Sequence, residues 1–302
     1  GGFIGGAGHG HTFQDKYGNY WHVASMTISV RHSFERRLGL FPVAISTQHG
    51  MYAHTVWGDY PFCIPGRKVD FNQTDLCMGW NLLSYRKPIT ASSSLAGYEP
   101  EKANDEQIET WWAAQTGKKS EWLQIDLRAP MTVHAIHVNF ADHNFAVYAP
   151  HPPVIYQFFI EGSVDGKKWV NLVDERANTK DEPHRLFTLD KPVKLRYLRI
   201  NNSKDMEGCF SLSDFRIFGK GEGTAPSQIT GFQAVRDERD RRIYRFTWDA
   251  QAGVTGYVLR WGTQQDKLTH AVTVYENQYE ARYFNRDSDY YFSITAFNES
   301  GN

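Results

Sequence analysis

Cysteine is scarce in this chain. Its 302 residues contain three cysteines, Cys63, Cys77 and Cys209. Cys63 and Cys77 could pair, but three cysteines in a chain this long do not make a disulfide framework. Cysteine usage therefore fits an exported bacterial protein and a cytosolic protein equally well.

Long apolar runs and an excess of one charge are also missing. No run of 18 apolar residues is present, so no membrane span is expected. No basic segment followed by an apolar one marks a signal peptide at the start of the sequence. Lys and Arg total 33 against 34 Asp and Glu. This balance argues against nucleic acid or an anionic membrane surface as a partner.

Aromatic residues, in contrast, make up 15% of the chain. Two interpretations stay open. Ring faces stack on the apolar faces of pyranose sugars, which favours carbohydrate binding. Folds rich in β-structure also use more Tyr, Phe and Trp for packing alone. The length indicates roughly two or three domains.

The segment from Ser84 to Lys220 carries the clearest strand patterns. Polar and apolar residues alternate in 122–127, in 195–200 and again in 211–219. Between the first two runs, residues 158–170 read as a strand, an Asp-Gly turn and a second strand. Several short strands with no helical stretch between them predict an antiparallel β-sandwich.

These motifs support a family resemblance. The order A-x-D…T-x-W, W-L-Q-I-D-L, F-x-I-E-x-S-x-D-G-x-x-W, R-Y-L-R-I and S-D-F-R-I-F-G resembles the discoidin domain of coagulation factors. It is equally similar to the family 32 carbohydrate-binding modules, which share that jelly roll. The resemblance covers residues 84–220 and implies a galactose-binding-like jelly-roll sandwich.

The resemblance also implies a structural calcium ion. In the family this ion ties the A-x-D…T loop to the acidic residue at the head of the last strand. The matching residues are Asp105, Thr110 and Asp214. Calcium takes six to eight oxygen ligands, from side chains and backbone carbonyls alike. The family usually has glycine at the position of Glu106 and glutamate at the position of Asp214, which leaves a weaker or empty site open.

A sugar site is expected on the loops at one end of the sandwich. The longest connection, 139–153, is long enough to suggest a functional loop. Carbohydrate recognition needs planar rings together with hydrogen-bond donors and acceptors. The candidate contacts are Asp142, His143, Asn144, Phe145, Tyr148, His184, Arg185 and Phe210. The alternative is that the same loop packs against the N-terminal segment and binds no ligand.

The N-terminal segment resembles the end of the five-bladed propeller of family 43 glycoside hydrolases. The motifs are G-x-G-H ending at His9, D-x-x-G-N-x-W from Asp15 to Trp21, and W-G-D-Y-P at 57–61. In that family the histidine lies near the propeller axis, under the active site. The catalytic carboxylates lie in earlier blades, so no residue of this chain inherits a catalytic role. Because an isolated blade exposes sheet edges, residues 1–65 are expected to lean on the jelly roll.

Residues 66–83 are expected to be a connector, and residues 224–302 resemble a fibronectin type III domain. Trp248 matches its inward tryptophan, and Tyr290 matches the corner tyrosine whose hydroxyl ties back to the backbone. Such domains serve as spacers or as partner surfaces.

Together these observations predict an all-β chain made of a propeller-derived segment, a jelly roll and a fibronectin type III sandwich. The predicted function is the non-catalytic, carbohydrate-associated portion of an extracytoplasmic glycoside hydrolase, with a plant or mucosal polysaccharide as partner. The alternative is a structural module that braces its neighbours and binds no sugar. The sequence does not determine the sugar specificity or the oligomeric state.

Overall fold

The computed structural model describes residues 5–28, 36–46, 50–53, 59–71, 78–146 and 152–302. Over these residues the regular elements are strands, apart from one short 3-10 helix at Pro100–Ala103. This confirms the predicted all-β class. No helix in these ranges is long and apolar enough to cross a membrane.

The N-terminal segment folds into a four-stranded antiparallel sheet in sequential order. Its strands are β1 (Gly5–Gln14), β2 (Tyr20–Thr27), β3 (Arg36–Ser46) and β4 (Gly50–Ala53). The turn after β1 is fastened by Asp15, whose carboxylate accepts hydrogen bonds from the Tyr17 and Asn19 backbone N–H groups and from the Trp21 indole. Trp21 is buried and packs on Phe71, which belongs to the segment that follows the sheet.

The middle of the chain forms the predicted antiparallel sandwich. Its strands are β5 (Asn81–Leu82), β6 (Ile89–Ala91), β7 (Trp112–Ala113), β8 (Trp122–Phe140), β9 (Phe158–Ser163), β10 (Trp169–Asp174), β11 (His184–Asn202) and β12 (Ser211–Lys220). Six of them pair in the order β10-β9-β11-β8-β12-β5, while β6 joins β8 and β7 joins β12. The predicted hairpin is present, because β9 and β10 pair across the Asp165-Gly166 turn.

One hydrophobic core fills this sandwich. It draws on alternate residues of β8 and on the inward faces of β9, β11 and β12. Leu123, Ile125 and Leu127 of β8 have no exposed surface, whereas their neighbours Gln124 and Asp126 are half-buried. This alternation is the period-two pattern that predicted the strand.

The C-terminal segment consists of two three-stranded sheets. The strands are β13 (Gln233–Arg236), β14 (Tyr244–Thr247), β15 (Gly256–Gly262), β16 (His270–Val274), β17 (Gln278–Ala281) and β18 (Tyr291–Phe297), in the orders β13-β14-β17 and β16-β15-β18. Trp248 is buried in their shared core. The Tyr290 hydroxyl accepts a hydrogen bond from the Asn285 backbone N–H at 3.1 Å, a tie to the backbone of the kind expected at this position.

Strand β12 joins the three segments. All residues from Ser211 to Gly219 are buried, so neither face of this strand meets solvent. Its inward side chains, such as Ile217, belong to the jelly-roll core. On the other face, the Phe218 ring packs edge-on against Tyr60 of the N-terminal segment, with ring centres 5.3 Å apart. The sandwich therefore has an outer face that is covered by the rest of the chain.

Contacts to the C-terminal segment complete this arrangement. Lys87 forms an ion pair with Glu299, and both side chains are mostly buried. The Tyr85 ring lies 4.4 Å from the Tyr275 ring, measured between centroids. The expected lean of the N-terminal segment on the jelly roll is seen at Tyr60, and again where the Asn139 side chain donates to the Ile28 carbonyl at 3.2 Å.

Candidate functional site

Three rings come together at one end of the jelly roll. The Trp111 indole N–H donates to Nδ1 of His143 at 3.1 Å. The Tyr98 ring lies 4.5 Å from the His143 ring and 5.1 Å from the Trp111 ring, centroid to centroid. Tyr98 and Trp111 are half-buried, and His143 is 8% exposed. We call these three residues the aromatic cluster.

Local sequence explains how Trp111 reaches this position. Its neighbour Trp112 begins β7 and has no exposed surface, because its ring lies in the core. Successive side chains of an extended segment point to opposite sides. Trp111 is therefore directed away from the core and towards the loop that carries His143.

The loop around His143 is held in a strained conformation. Asp142 and Asn144 have φ values of 51° and 63°, in the left-handed region that costs a non-glycine residue about 1 kcal/mol. Fixed contacts maintain this shape. The His143 backbone N–H donates to the Ser211 hydroxyl at 3.1 Å, and its carbonyl accepts from the Cys209 N–H at 2.9 Å. Such strain is typical of residues that are positioned for a function.

Asp142 anchors the same loop from within. Its Oδ1 accepts a hydrogen bond from the Tyr156 hydroxyl at 2.6 Å, and the Asp142 residue is 7% exposed. Burial and the neighbouring Asp142 charge raise the pKa of Tyr156 well above its usual range, so Tyr156 stays a donor. Asp142 thus anchors the loop from within, while Asn144 is the exposed residue beside it.

The bond from Trp111 fixes the chemistry that His143 offers. When Nδ1 accepts, the neutral imidazole carries its proton on Nε2. Asn144 is exposed, and its side-chain amide lies 3.6 Å from the sulfur of Cys209. The cluster therefore combines ring faces with a histidine donor and an adjacent amide.

The other predicted sugar contacts lie in different surroundings. Phe145 is half-buried and packs over Gly208, where an added Cβ would lie 2.4 Å from its ring. Phe210 has no exposed surface and packs in the core against Trp112 and Phe140, so it offers no ring face to a ligand. This corrects the prediction for Phe210. The bracing interpretation of this loop required these rings to pack against the N-terminal segment. In the described contacts neither ring does so.

Two other predicted sugar contacts lie at the start of β11. His184 begins β11 and lies opposite Asn139 of β8. Arg185 pairs with Glu175 at 2.6 Å, which occupies its charge. Tyr148 lies outside the described residues. His9, the predicted axis residue of the propeller, is exposed in β1 with φ of 50°.

Sequence reasoning missed Tyr98 and Trp111. A signal for Trp111 was present in the doublet Trp111-Trp112, because two adjacent tryptophans in an extended segment cannot both face one core. Tyr98 had no comparable signal. Tyr98 ends a turn in which its N–H donates to the Leu95 carbonyl at 3.0 Å, and its carbonyl accepts from the Ala113 N–H of β7 at 3.2 Å.

The predicted calcium residues also lie close to one another. Thr110 Oγ1 donates to Asp105 Oδ2 at 2.7 Å, and burial raises the pKa of Asp105. Strands β7 and β12 pair Ala113 with Ser211 and Trp112 with Leu212. The Asp105 charge lies near enough to Asp214 to contribute to raising the pKa of Asp214.

Asp214 is the unusual member of this group. It is completely buried, and neither of its carboxylate oxygens has a hydrogen-bond partner among the described residues. Burial and the nearby negative charge of Glu106 raise the pKa of Asp214 well above its usual range. A buried carboxylate without partners is costly unless something compensates its charge, and a cation would do so. The residues present therefore fit the implied ion, although in the described ranges no three His, Cys, Asp or Glu side chains form a metal-binding group by themselves.

Glu106 has a different role from the glycine it replaces. Its φ of 60° keeps the left-handed backbone that favours glycine. Its carboxylate accepts two hydrogen bonds from Arg216, at 2.8 and 2.9 Å, instead of pointing to Asp105 and Thr110. The Glu106 carboxylate is therefore engaged by Arg216.

Comparison with known proteins identifies the middle segment. Residues 88–214 match the F5/8 type C domain, which confirms the predicted discoidin-like domain. The chain is similar to coagulation factor VIII of Mus musculus (29% identity over 121 residues) and of Homo sapiens (28% over 123 residues). Each match covers 37% of this chain and 5% of the relative. These matches do not test the propeller and fibronectin resemblances of the flanking segments, which stay predictions.

Solved structures are similar over the same part of the chain. One is chitosan-binding module 1 of a chitosanase/glucanase from Paenibacillus sp. IK-5, at 24% identity and a TM-score of 0.39, covering 46% of this chain and 99% of that one. Another is a family 32 carbohydrate-binding module from Clostridium perfringens in complex with galactose, at 14% identity and a TM-score of 0.38, covering 46% and 98%.

Proposed function

We propose that the discoidin-like domain binds carbohydrate through the aromatic cluster of Tyr98, Trp111 and His143. The observation that carries this proposal is the Trp111–His143 hydrogen bond at the strained loop. The half-buried Trp111 indole supplies a stacking face, and the same hydrogen bond fixes the tautomer of the neighbouring His143. Asn144 adds donor and acceptor groups beside them, as hydroxyl recognition requires.

The earlier candidates are assigned by their surroundings. We keep His143, Asn144 and Phe145 in the proposed site and give Asp142 the role of loop anchor. Tyr148, His184 and Arg185 stay predicted sugar contacts. Phe210 is left to the core.

The test is a screen of the purified chain against plant and mucosal glycans, with Trp111→Ala and His143→Ala beside the unaltered chain. Tyr283→Ala is the matched control, since Tyr283 is 56% exposed and lies in the C-terminal segment. The expected result is binding that both cluster substitutions abolish and the control retains. A chain that binds no glycan, or substitutions that leave binding intact, would exclude this site.

We further propose that the chain is a non-catalytic portion of an extracytoplasmic glycoside hydrolase. The propeller-like motifs of the N-terminal segment and the carbohydrate association proposed for the jelly roll support this. The expected result of incubating the chain with arabinose-, xylose- and galactose-containing polysaccharides is retention without release of sugar. Release of reducing ends would contradict the non-catalytic role.

A structural calcium ion is proposed at Asp105, Thr110 and Asp214, with backbone carbonyls completing the oxygen set. The buried carboxylate of Asp214 supports it. A bound ion would supply the partner that both carboxylate oxygens lack in the described chain. Calorimetric titration of calcium into the chelated chain, with Asp214→Asn as the comparison, measures it directly.

A second function, bracing of neighbouring segments, is favoured by the contacts of Arg216. Its guanidinium bonds Glu106 of the jelly roll and donates to the Asp59 carbonyl of the N-terminal segment at 2.8 Å. The Tyr275 hydroxyl of the C-terminal segment lies 3.3 Å from the Glu106 carboxylate. Bracing predicts one cooperative unfolding transition in calorimetry. Three separated transitions would contradict it. This face differs from the loop end, so both functions are compatible.

A further inference from the structure

We propose that a divalent cation bound by Asp105, Thr110 and Asp214 orders the aromatic cluster, so that cation binding and glycan binding strengthen each other. The glycan half of this statement rests on the proposed function. The coupling between the cation and Trp111 is independent of it.

Trp111 and Tyr98 are attached to the loop that contains Asp105 and Thr110. Trp111 directly follows Thr110, whose hydroxyl is bonded to Asp105. Tyr98 is attached to the same segment, because its carbonyl accepts from the Ala113 N–H, and the Leu95 N–H donates back to the Ala113 carbonyl at 2.9 Å. Any movement of Thr110 is therefore transmitted to both Trp111 and Tyr98.

His143 is attached to β12, the strand that contains Asp214. The His143 backbone N–H is held by the Ser211 hydroxyl, and the Ala141 N–H donates to the Ser211 carbonyl at 3.1 Å. Ser211 is the first residue of β12, and Asp214 lies three residues further along this strand. The loop that carries His143 thus follows the position of β12.

A cation would hold the loop that contains Thr110 and strand β12 together. Thr110 is bonded to Asp105, whose charge reaches Asp214, and β7 pairs with β12 only two residues after Thr110. One ion shared by these residues would therefore fix Trp111 relative to His143. Without the ion, the buried Asp214 carboxyl group has no hydrogen-bond partner in the described chain. A buried polar group without a partner costs free energy, which weakens the junction that holds the cluster.

Linkage makes the effect reciprocal. If the ion favours the arrangement in which Trp111 bonds His143, a ligand that needs this arrangement must raise the affinity for the ion by the same factor. Couplings of this kind usually change affinity by about 5- to 150-fold.

The experiment uses the whole chain labelled with 5-fluorotryptophan, with Trp111→Phe to assign the Trp111 fluorine resonance. Calcium chloride is titrated into the chelated protein, and calorimetry gives the dissociation constant. The expected result is a saturable shift of the Trp111 resonance with the calorimetric constant, while Trp248 of the C-terminal segment stays unchanged. Asp214→Asn should abolish the shift, and Thr110→Val serves as a second variant if Asp214→Asn does not fold.

A second arm repeats the glycan screen in chelator and in calcium, where signals should fall at least about fivefold without the ion. Calcium that binds without moving the Trp111 resonance overturns the proposal, as does a failure to bind calcium. A chain that binds no glycan but shows the calcium-dependent shift ends the proposed function and leaves the structural coupling in place.

Discussion

Arg216 and Glu106 form a buried, two-pronged ion pair at the junction of the three segments. The guanidinium donates to both carboxylate oxygens, at 2.8 and 2.9 Å, and each side chain is only 1% exposed. Burial raises the pKa of Glu106, and the charge and hydrogen bonds of Arg216 act against this. Glu106 has a left-handed backbone conformation, and its carboxylate neutralises the buried Arg216 guanidinium.

Loss of this carboxylate should destabilise the chain strongly. Glu106→Gln is expected to lower the free energy of unfolding by about 3–5 kcal/mol, because it leaves the Arg216 charge buried without its main partner. The matched control is Asp126→Asn, which breaks the more exposed pair with Arg196 and should cost roughly 0.2–1 kcal/mol. Urea unfolding measures both values. Equal decreases in the free energy of unfolding would show that the buried pair contributes no more to stability than the exposed pair.

Glu106→Gly separates backbone strain from the ion pair. Glycine relieves the positive φ, a gain of about 1 kcal/mol, yet the variant should still be less stable than the unaltered chain. Stability equal to or above that of the unaltered chain in the same urea titration would mean that strain outweighs the pair.

Phe210 and Phe145 should respond differently to truncation. Phe210→Ala is expected to cost about 3–5 kcal/mol of unfolding free energy, because it empties a site in the core. Phe145 is only half-buried, so Phe145→Ala should cost roughly 1–2 kcal/mol. The glycan affinity of the folded protein should fall for Phe145→Ala and stay unchanged for Phe210→Ala. The opposite pattern in thermal unfolding and calorimetry would reverse these assignments.

Tyr156→Phe tests the anchor beneath His143. Removing the hydroxyl leaves the buried Asp142 oxygen without its 2.6 Å donor, which should cost about 1–3 kcal/mol. Since the loop then loses the contact that maintains its strain, glycan affinity should weaken as well. Hydrogen exchange of the His143 and Asn144 amides is the readout, and protection as in the unaltered chain would contradict the anchoring role.

Asp15 should give the N-terminal sheet a dependence on acid. Partial burial acts to raise its pKa, but hydrogen bonds from Trp21 and Asn19 prevail and lower it to about 2, from 3.8. A lowered folded pKa stabilises the sheet above pH 3.8, and this contribution is lost as the pH falls towards 2.

Carbon NMR of the Asp15 carboxyl group provides the measurement for this residue. A midpoint near 2 is expected, and Asp15→Asn should weaken amide protection in β2 at pH 7 more than at pH 2. A midpoint near 3.8 would show that the turn does not favour the ionised carboxylate.

The sequence alone determined the strands, because their evidence is local. Alternation in residues 122–127 and the Asp165-Gly166 turn each specify a structure within a few residues, so the sandwich and its hairpin were predictable. The motifs also singled out Asp105, Thr110 and Asp214, whose role as cation ligands stays a proposal.

Only the tertiary structure decided which side chains meet. Tyr98, Trp111 and His143 are far apart in the chain, and the cluster exists because β7, the loop after β8 and the start of β12 converge at one end of the sandwich. Phe210 and Trp111 are both aromatic residues next to a strand, yet one is in the core and the other at the surface. The fate of Glu106 depended on Arg216, 110 residues away. The partners of a long-range polar pair are distant in the sequence and meet only in the folded chain. No local sequence pattern therefore predicts the pair.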